Sequence, residues 1–588
     1  MCGIIGYIGR KEAFPFLMGG LEKLEYRGYD SAGIALCAEE ELRVQKDIGK
    51  LSEIHFNKVE GSLGIAHTRW ASHGKVSKEN AHPHQDCGKE IAIVHNGIIE
   101  NYKELKASLI EKGHVFTSET DSETIVHLME EFIAEGFGFE DAFVNTLRKL
   151  EGSYTILALR RGENKLIGTR KGSRSLSIGI SEHGIFPSSD VLAFLEWTNK
   201  VVYLKSYDVF VADDDLNLRI YNLAEDRTVE RPIDVVKCSV EEVKKGECEH
   251  FMLKEIGEQD ETLLRALQQD ENTVADICEA MRRAFGTFFI GCGSSYHACL
   301  TGSYLFSKIA KVHVNTMLAS EFENYEDFLT ENTLVLAISQ SGETADVLDA
   351  VNAAKRKGSK VVGIVNRDGS ILTRESDKLL MMNSGLELCV LSTKTYTSQV
   401  VLMAMLAYAF AGQYEVGLKK IGSLYLDIYQ LTSRSMREYV QKLAEMLYDK
   451  SHIYLIGREL QYATALEAAL KIKEVSYIHA EAFAGGELKH GPLALIEEGT
   501  PCIVFVSAEN KSKILSNAEE VKCRGGYIIG VSSEREEIFD FWIKVPEAEE
   551  LNPIIQIIPM QVLAYELAVL RGLDPDKPRN LAKSVTVT

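Results

Sequence analysis

The sequence has no excess of positive charge, no long apolar run and no regular cysteine spacing. Lysine and arginine total 65 against 86 acidic residues, a formal net charge of −21, and this argues against binding nucleic acid, since such proteins concentrate basic side chains. No run of about 18 apolar residues is present, which argues against a membrane span. The N-terminus lacks the charged-then-apolar pattern of a signal peptide. The eleven cysteines are odd in number and never spaced as CxxC, which favours structural thiols in a reducing cytoplasm.

The chain has 588 residues, of which 45% are hydrophobic, and this length predicts roughly four globular units of about 150 residues. Composition and pattern place the boundaries after residues 235, 275, 425 and 572. The segment 236–275 is charged and helical and is predicted to be a linker. The segment 573–588 is a short tail that ends apolar and β-branched, which favours docking over disorder.

The first nine residues, Met1–Gly9, combine a cysteine at position two with an apolar strand pattern. If Met1 is removed, Cys2 carries a thiol and a free α-amine on the same Cα. The amine titrates near pH about 8, so it can take the thiol proton and leave a nucleophilic thiolate. The plain alternative is a first strand that happens to begin with cysteine.

The N-terminal third is dominated by short apolar runs separated by turn signals, with two helical patterns between them. The strand candidates are Gly33–Leu36, Leu63–Ala66, Ile91–Val94 and Tyr154–Leu159, and the helix candidates are Asn101–Lys112 and Ser122–Ala134. Thr120 or Asp121 is predicted to cap the second helix. This balance favours an α+β domain of sheet-on-sheet layers covered by helices.

Four polar clusters follow these strands: Tyr26–Ser31, His67–Gly74, His95–Gly97 and Glu119–Asp121. Separately each has a plain explanation: Asn96-Gly97 is a common turn, Asp121 caps a helix and Arg69 forms a surface ion pair. His82-Pro83-His84 with Cys87 weakly resembles a metal site, but no ligand spacing fits, and a structural loop is favoured.

Together with Cys2, the clusters resemble the glutaminase domain of class II glutamine amidotransferases, which have the N-terminal nucleophile hydrolase fold. The resemblance implies that Cys2 is the nucleophile and its amine the base, with Asn96 and Gly97 as the oxyanion hole. It implies a glutamine site in which Arg69 holds the α-carboxylate, Asp121 holds the ammonium and Trp70 gates ammonia. The other residues of the implied glutamine site are Ser72 and His73.

The C-terminal part contains an internal duplication. Apolar runs ending at Gly291, Ser339 and Ile364 recur at an almost constant spacing, ending near Gly457, Ser507 and Gly530. Each run is followed by a helical pattern. Continuous apolar runs are typical of parallel strands covered on both faces, so two copies of one α/β unit are predicted.

An anion site is predicted after the second strand of the first copy, in Ser339-Gln340-Ser341-Gly342-Glu343-Thr344. Three hydroxyls, a glycine and the N–H groups of a helix start suit a phosphate. The lysine of a nucleotide-binding loop is missing, and simple helix capping is the alternative. Gly291–Ser295, after another strand, is predicted to be a second wall of the same pocket.

The second copy has Glu467, Lys471 and Glu474 on one face of a helix predicted over 460–478. A solvated ion-pair stripe is the usual meaning of this pattern. The flanking alanines indicate instead a covered helix, where a carboxylate beside a lysine can transfer protons. Further on, His490 lies in a glycine-framed loop, and Lys583 lies in the tail.

These motifs resemble a tandem pair of sugar isomerase (SIS) domains, and the whole order resembles the amidotransferases that make an amino sugar phosphate. The resemblance implies glutamine and fructose 6-phosphate as substrates, channelled ammonia, and a homodimer formed through the SIS domains. It implies no pyridoxal phosphate and no metal. The implied sugar-phosphate site consists of Ser295, Ser339, Gln340, Ser341, Thr344, Ser392 and Ala582.

The same resemblance assigns the chemical steps. Lys583 forms a Schiff base with the ketose, His490 opens the sugar ring, and Glu474 moves a proton between C1 and C2, supported by Glu467 and Lys471. Feedback control is not expected, because the insertion that accompanies it is missing. Two departures are visible: the segment 171–177 lacks the usual Ser-Pro-Leu, and Cys299 and Cys389 replace smaller residues.

Other functions remain open on these residues. Other glutamine amidotransferases are disfavoured, because an acidic pair for phosphoribosyl pyrophosphate and an adenylating Ser-Gly-Gly-x-Asp-Ser are both missing. A sugar-phosphate-binding regulator built on SIS domains would not need Cys2 or Lys583. A deglycase-like protein could keep the phosphate site with a vestigial glutaminase domain, whereas this chain retains the glutaminase residues.

Overall fold

The computed structural model describes residues 2–38, 41–70, 74–172, 175–236 and 245–585. The chain divides into two compact units. Unit 1 comprises Met1–Glu241 with Ala582–Thr588, and unit 2 comprises Glu242–Leu581. The predicted tail is therefore shared, with its last residues grouped with the N-terminal unit.

Unit 1 is built mainly from strands, with four helices among its described residues. The strands are β1 (Gly3–Gly9), β2 (Ser31–Ala38), β3 (Glu41–Ile48), β4 (Leu63–Arg69), β5 (His84–Gln85), β6 (Ile91–Ile99), β7 (Gly152–Arg160), β8 (Lys165–Lys171), β9 (Ser177–Ile180), β10 (Gly184–Ser188), β11 (Lys200–Tyr203), β12 (Asp208–Asp213), β13 (Leu218–Asn222), β14 (Arg227–Thr228) and β15 (Ile233–Val235). The helices are α1 (Ala13–Leu24), α2 (Tyr102–Glu111), α3 (Glu123–Ala134) and α4 (Phe139–Leu147).

Two antiparallel sheets stack face to face in this unit. One has the order β15-β11-β9-β10-β1-β4-β2-β3 and the other β14-β13-β12-β8-β7-β6-β5. Ile4 and Ile65 of the first sheet share a core with Val94 and Leu157 of the second. Helix α1 covers the outer face of the first sheet, and α3 and α4 cover that of the second. The predicted layers of two sheets between helices are confirmed.

Unit 2 alternates helices with parallel strands. The helices are α5 (Phe251–Gly257), α6 (Gln259–Ala266), α7 (Glu271–Arg283), α8 (Ser294–Leu305), α9 (Ala345–Arg356), α10 (Ile371–Glu375), α11 (Lys394–Phe410), α12 (Tyr414–Ser423), α13 (Tyr425–Leu431), α14 (Arg434–Leu447), α15 (Leu460–Ser476), α16 (Lys511–Lys522), α17 (Asn552–Gln556) and α18 (Ile558–Leu570). The strands are β16 (Gly286–Gly291), β17 (Asn315–Leu318), β18 (Thr333–Ser339), β19 (Lys360–Val365), β20 (Lys378–Met381), β21 (His452–Gly457), β22 (His479–Ala484), β23 (Pro501–Phe505), β24 (Tyr527–Ser532) and β25 (Phe541–Lys544).

The two sheets of unit 2 have the same topology, which confirms the duplication. Their orders are β17-β16-β18-β19-β20 and β22-β21-β23-β24-β25, with every pair parallel. The three strands predicted in each copy are β16, β18 and β19 in the first and β21, β23 and β24 in the second. Helices α5–α7 precede the first sheet. Helices α5 and α6 lie inside the region 236–275 predicted as a helical linker, whereas α7 begins in it and continues to Arg283. Residues 237–244 of that region lie outside the described part.

A continuous apolar core joins the two sheets of unit 2 through the helices between them. It includes α11, of which every residue from Lys394 to Tyr408 is buried, and most of α18. The helical run Glu549–Leu570 is long and apolar enough to cross a membrane, but 89% of its most apolar window is buried inside the protein. A core helix passes the same length and composition test, and burial of this extent is what a core helix shows.

Candidate functional site

The Cys2 thiol lies at the start of β1, against the residue that follows β4. Its Sγ accepts a hydrogen bond from the backbone N–H of Trp70 at 3.2 Å and lies 3.4 Å from the Trp70 carbonyl oxygen. The pairing of Gly3 with Thr68 in the neighbouring strand fixes this arrangement. The thiol is half-buried. The main chain of Trp70 therefore holds the Cys2 sulfur in place through two contacts.

The side chain of Asn96, on β6, bridges Cys2 and His67. Its Nδ2 donates to the Cys2 carbonyl oxygen at 2.8 Å, and His67 Nε2 lies 3.1 Å from its Oδ1. His67 Nε2 also lies 3.2 Å from the carbonyl oxygen of His95. Because both partners of this nitrogen are acceptors, Nε2 carries the proton. His67 therefore fixes which end of the Asn96 amide faces Cys2, a role that sequence reasoning missed.

Gly97 follows Asn96 with a positive φ of 146°, and a Cβ there would meet the Ser153 carbonyl oxygen at 2.3 Å. Only glycine fits this backbone, so its predicted place beside Asn96 has a structural basis. Strand β7 lies beside this segment, and Gly97 is opposite Tyr154 in the antiparallel pairing.

Arg69 and Asp121, the predicted partners of the two charged ends of glutamine, are both buried in this unit. The Arg69 guanidinium donates to the carbonyl oxygens of Gly74 and Lys75 at 3.2 and 3.3 Å. Burial lowers its pKa, and the nearby charges of Cys2, Asp30 and Asp121 oppose that shift. The structure thus brings Cys2 and Asp121 within electrostatic reach of Arg69.

Asp121 is not a helix cap, and the capping prediction was wrong. Helix α3 begins after Ser122 without a side-chain cap, and the Asp121 Oδ2 accepts from the backbone N–H of Ile99 at 2.8 Å. Thr120 is also engaged elsewhere, 3.1 Å from His84 Nε2. The buried Asp121 carboxylate is thus held by the end of β6, the strand that carries Asn96 and Gly97.

Trp70 packs edge-on against Tyr29, with ring centroids 5.8 Å apart. Its main chain contacts Cys2, as described above. The predicted glutamine-site residues Ser72 and His73 lie outside the described residues, as do residues 173 and 174 of the departing segment.

Buried imidazoles lie behind this site. The ring of His82 stacks on His67 at 4.1 Å and meets His84 edge-on at 4.5 Å. Burial, reinforced by the positive charge of Arg69, lowers the pKa of His67 to about 3 and the pKa values of His82 and His84 well below the ordinary range. All three are therefore neutral at physiological pH. The loop His82–His84 is structural, as the sequence favoured.

In unit 2, the predicted phosphate cradle lies between the end of β18 and the start of α9. Ser339 Oγ accepts from the Gly342 backbone N–H at 3.0 Å and lies 2.9 Å from Thr344 Oγ1. Ser341 Oγ accepts from the Glu343 N–H at 3.1 Å. Gln340 is half-buried in the same turn. This turn is a compact set of hydroxyls at a helix N-terminus, as an anion site requires.

Two further helix starts carry predicted sugar-phosphate residues. Ser295 lies in the first turn of α8, after β16, which is the neighbour of β18 in the sheet. Ser392 precedes α11 and its Oγ lies 2.6 Å from Thr395 Oγ1. Because β16 and β18 are adjacent and parallel, the α8 and α9 starts lie at the same edge of the sheet.

The charged face of α15 is buried rather than solvated. Lys471 is fully buried, and its Nζ lies 3.4 Å from Glu467 and 2.8 Å from Glu474. Burial opposes the charge on Lys471, but the two carboxylates more than offset this and raise its pKa. Lys471 therefore keeps its positive charge inside the protein, and the neighbouring Glu474 is partly accessible.

Two residues of the first copy complete this cluster. Ser294 Oγ donates to Glu467 Oε1 at 2.8 Å and accepts from Lys471 Nζ at 3.0 Å. His297 Nδ1 lies 2.8 Å from Glu467 Oε2. Both are on α8, which follows β16 as α15 follows β21. The sequence analysis placed Ser294 only in the predicted pocket wall Gly291–Ser295 and did not predict a role for His297. The position of His297, one turn into α8, was the feature that could have indicated it.

The remaining predicted groups lie elsewhere. His490 is exposed at the end of a 3-10 helix, Gly485–His490, after β22. Ala582 and Lys583 are half-buried and belong to unit 1. Cys299 and Cys389, the two departures in unit 2, are fully buried, and burial raises the pKa of the Cys299 thiol well above its ordinary value. These thiols are therefore poor nucleophiles.

Family models match both parts of the chain. A model described as "Glutamine amidotransferase domain" matches residues 67–196, and one described as "SIS domain" matches residues 281–409 and 446–571. A solved structure titled as the C-terminal domain of glucosamine-fructose-6-phosphate aminotransferase from Francisella tularensis is 33% identical with a TM-score of 0.52. The match covers 57% of this chain and 99% of that one.

Curated relatives match along the full length. The glutamine–fructose-6-phosphate aminotransferases (isomerizing) of Pyrococcus horikoshii and Thermococcus kodakarensis are each 43% identical over 100% of both chains. That of Clostridium acetobutylicum is 40% identical, with the same coverage. The chain therefore belongs to the family of glutamine–fructose-6-phosphate aminotransferases (isomerizing), transferases that join a glutamine amidotransferase domain to two SIS domains.

Proposed function

We propose that the chain converts fructose 6-phosphate and glutamine into glucosamine 6-phosphate and glutamate, with Cys2 as the nucleophile of the first half-reaction. In this half-reaction, the α-amine of Cys2 takes the proton from the Cys2 thiol, and the resulting thiolate attacks the side-chain amide of glutamine. Asn96 and the Gly97 N–H stabilise the oxyanion. Arg69 and Asp121 hold the α-carboxylate and the α-ammonium. Water then releases glutamate, and Trp70 gates the ammonia.

The second half-reaction uses the residues of unit 2 with Lys583. The hydroxyls of Ser339, Ser341 and Thr344 hold the sugar phosphate, and His490 opens the ring to expose the C2 carbonyl. Lys583 forms an imine at C2, which ammonia displaces. Glu474 then moves a proton from C1 to C2, and the C2 imine becomes an aldose amine.

The buried partners of Glu474 support its role. Lys471, between Glu474 and Glu467, holds a positive charge beside the carboxylate, and Ser294 and His297 keep Glu467 in place. A carboxylate that accepts the C1 proton must be ionised, and a lysine held beside it suits that role. We propose no pyridoxal phosphate for this step, because the sugar carbonyl itself makes the adjacent C–H acidic.

The chain is also proposed to be a cytoplasmic homodimer. All ten cysteines among the described residues are free, which suits a reducing compartment. Leu426 and Tyr429 are 64% and 62% exposed and lie three residues apart on α13, an apolar pair that suits contact between two copies of unit 2. In analytical sedimentation, the double variant Leu426→Glu/Tyr429→Glu should be a monomer and the parent a dimer. The control variant Ile110→Glu, which changes an exposed residue of unit 1, should remain a dimer.

Two contacts of Cys2 carry the assignment. The Cys2 sulfur accepts a hydrogen bond from the Trp70 backbone N–H, and the Cys2 carbonyl oxygen accepts one from the Asn96 side chain. The test is to incubate the full chain, with Met1 removed, with glutamine and fructose 6-phosphate. Glucosamine 6-phosphate and glutamate should form in equal amounts. Glutamate without amino sugar would contradict the coupled reaction.

Three variants separate the half-reactions. Cys2→Ala should lose glutamine hydrolysis but keep a measurable isomerisation of fructose 6-phosphate. Lys583→Ala or Glu474→Gln should keep glutamine hydrolysis and lose amino-sugar formation. Amino-sugar formation at the parent rate in either of the last two would show that the role assigned to that residue is wrong.

A further inference from the structure

Four side chains with metal-ligand chemistry meet in unit 1, away from the residues assigned to glutamine. Cys87 lies in the turn between β5 and β6, His114 lies after α2, and His127 and Glu130 lie on α3. His127 and Glu130 are three residues apart and so share one face of the helix. One ligand atom from each of the four lies within 4.8 Å of all the others.

The two imidazoles present the same nitrogen to the centre of this cluster. Cys87 Sγ lies 3.9 Å from His114 Nδ1 and 3.7 Å from His127 Nδ1. Glu130 Oε2 lies 2.8 Å from His114 Nδ1 and 3.0 Å from His127 Nδ1. A thiol, two imidazole nitrogens and one carboxylate oxygen therefore converge on one point.

These separations suit a tetrahedral metal ion. With a zinc–sulfur bond of about 2.3 Å and a zinc–nitrogen bond of about 2.05 Å, a tetrahedral angle gives a sulfur-to-nitrogen separation of about 3.6 Å. The observed values of 3.7 and 3.9 Å are close to this. The carboxylate oxygen needs to move outward by only a few tenths of an ångström from its hydrogen-bonded position.

The outer nitrogens of both imidazoles face carboxylates. His114 Nε2 lies 3.0 Å from Glu131 Oε2, and His127 Nε2 lies 3.7 Å from Glu123 Oε1. Metal-bound histidines commonly direct their second nitrogen at a carboxylate, and the hydrogen bond of His114 Nε2 to Glu131 has this form. His127 Nε2 lies within ion-pair range of Glu123 but makes no hydrogen bond among the described residues. Cys87 Sγ also accepts a hydrogen bond from the Val115 backbone N–H at 3.4 Å, which holds the sulfur in place.

We propose that Cys87, His114, His127 and Glu130 bind one Zn²⁺ ion. The mixed sulfur, nitrogen and oxygen set suits zinc, and four protein ligands make a closed, structural site. The ion joins the turn before β6 to α3. Strand β6 carries Asn96 and Gly97, and Asp121 lies two residues before α3, so the ion braces two elements of the glutamine site. For this cluster, the proposed Zn²⁺ site takes the place of the expectation, drawn from the sequence, that the chain binds no metal.

The sequence signal was misleading in a specific way. Cys87 stood near His82 and His84, and that set was rejected as a metal site for lack of ligand spacing. The structure directs those two histidines into the buried stack with His67, whereas Cys87 meets histidines 27 and 40 residues further along the chain. The favoured loop and the proposed metal site therefore coexist.

The test uses the untagged full chain, stripped with a chelator and then supplied with Zn²⁺ or Co²⁺. One Zn²⁺ per chain should survive gel filtration, and Co²⁺ should give a thiolate charge-transfer band with the visible bands of a tetrahedral ion. Cys87→Ser should lose the thiolate band, and His114→Gln should lower the zinc affinity by at least 10-fold. Zn²⁺ should raise the Tm of the parent and not that of Cys87→Ser.

Two matched variants isolate the site. Cys523→Ser removes another exposed thiol, and Cys2→Ala removes the half-buried thiol that precedes β1. Both should keep one Zn²⁺ per chain and the cobalt spectrum. A parent that retains no zinc, or a cobalt thiolate band that survives in Cys87→Ser, would overturn the proposal and leave an ordinary hydrogen-bonded cluster. Because the readouts are metal content and spectrum, they are independent of the proposed activity.

Discussion

At the scale of single residues, His67 shows how a neutral buried imidazole can serve a nucleophile it does not touch. It donates through Nε2 to Asn96 Oδ1, and Asn96 donates to the Cys2 carbonyl oxygen. Because burial lowers the pKa of His67 to about 3, this donor keeps one tautomer across the working pH range. The orientation of the Asn96 amide is therefore set by a residue outside the glutamine site.

His67→Ala should lower the kcat of glutamine hydrolysis roughly 10- to 100-fold, with a much smaller change in the KM for glutamine, because the oxyanion donor loses its orientation in the transition state. His67→Gln, which retains an N–H donor, should recover part of the rate. Steady-state kinetics of glutamate release measure both. Equal losses in the two variants would mean that His67 acts only through packing.

The Glu467–Lys471 pair predicts a non-additive effect. Lys471→Met alone leaves the buried Glu467 carboxylate without its lysine, at a cost of about 3–5 kcal/mol. Glu467→Gln combined with Lys471→Met should cost less than Lys471→Met alone, because neither charge is then stranded. Urea unfolding of the parent, of Glu467→Gln, of Lys471→Met and of the double variant gives the free energies of this double-mutant cycle. Additive losses would show that the two charges are not coupled.

At the scale of elements, much was accessible from sequence. The repeated apolar runs predicted β16, β18 and β19 and their counterparts β21, β23 and β24, because continuous apolar strands have a strong pattern. Helical spacing also placed Glu467, Lys471 and Glu474 on one face. The contacts of Ser294 and His297 with Glu467 were not predicted, since spacing relates residues within one helix and not between equivalent helices of two copies. The Cys87 cluster was missed because its residues come from a turn, a loop and a helix that lie far apart in the sequence.

The turn between β18 and α9 gives an element-scale prediction. Gly342 has a φ of 65°, and a Cβ there would lie 2.0 Å from Ser370 Oγ. Gly342→Ala should distort the Ser339–Thr344 turn and raise the KM for fructose 6-phosphate at least several-fold. Gly412, at the end of α11, has a φ of 72° with open space around its Cβ, so Gly412→Ala is a matched control.

Both substitutions place alanine in a left-handed conformation, so each should cost about 1 kcal/mol or more of stability. Only Gly342→Ala should change the KM for fructose 6-phosphate, and glutamine hydrolysis should be normal in both. A similar KM change in Gly412→Ala would show that the effect comes from lost stability and not from the phosphate turn.

At the scale of the whole molecule, the neutral histidines of unit 1 predict an acid-sensitive fold. His67, His82 and His84 are buried with lowered pKa values, whereas unfolded histidine titrates near 6.5. As pH falls from about 6.5 towards 3, the unfolded chain takes up protons that the folded chain refuses. The free energy of unfolding therefore falls with pH in this window, by up to about 1.4 kcal/mol per pH unit for each histidine.

His82→Phe keeps an aromatic ring against His67 and removes one of these protonation sites. Its plot of unfolding free energy against pH should be shallower than the parent's by the contribution of one histidine, about 1.4 kcal/mol per pH unit.

Two of the three tryptophans, Trp70 and Trp197, lie in unit 1, so a Trp542→Phe background makes fluorescence report this unit in urea unfolding. His55→Phe, at an exposed position, should leave the slope unchanged. An unchanged slope in His82→Phe would mean that this ring is protonated alike in both states, and that acid sensitivity arises from other groups such as Glu123, whose pKa is also lowered by its hydrogen bonds despite burial.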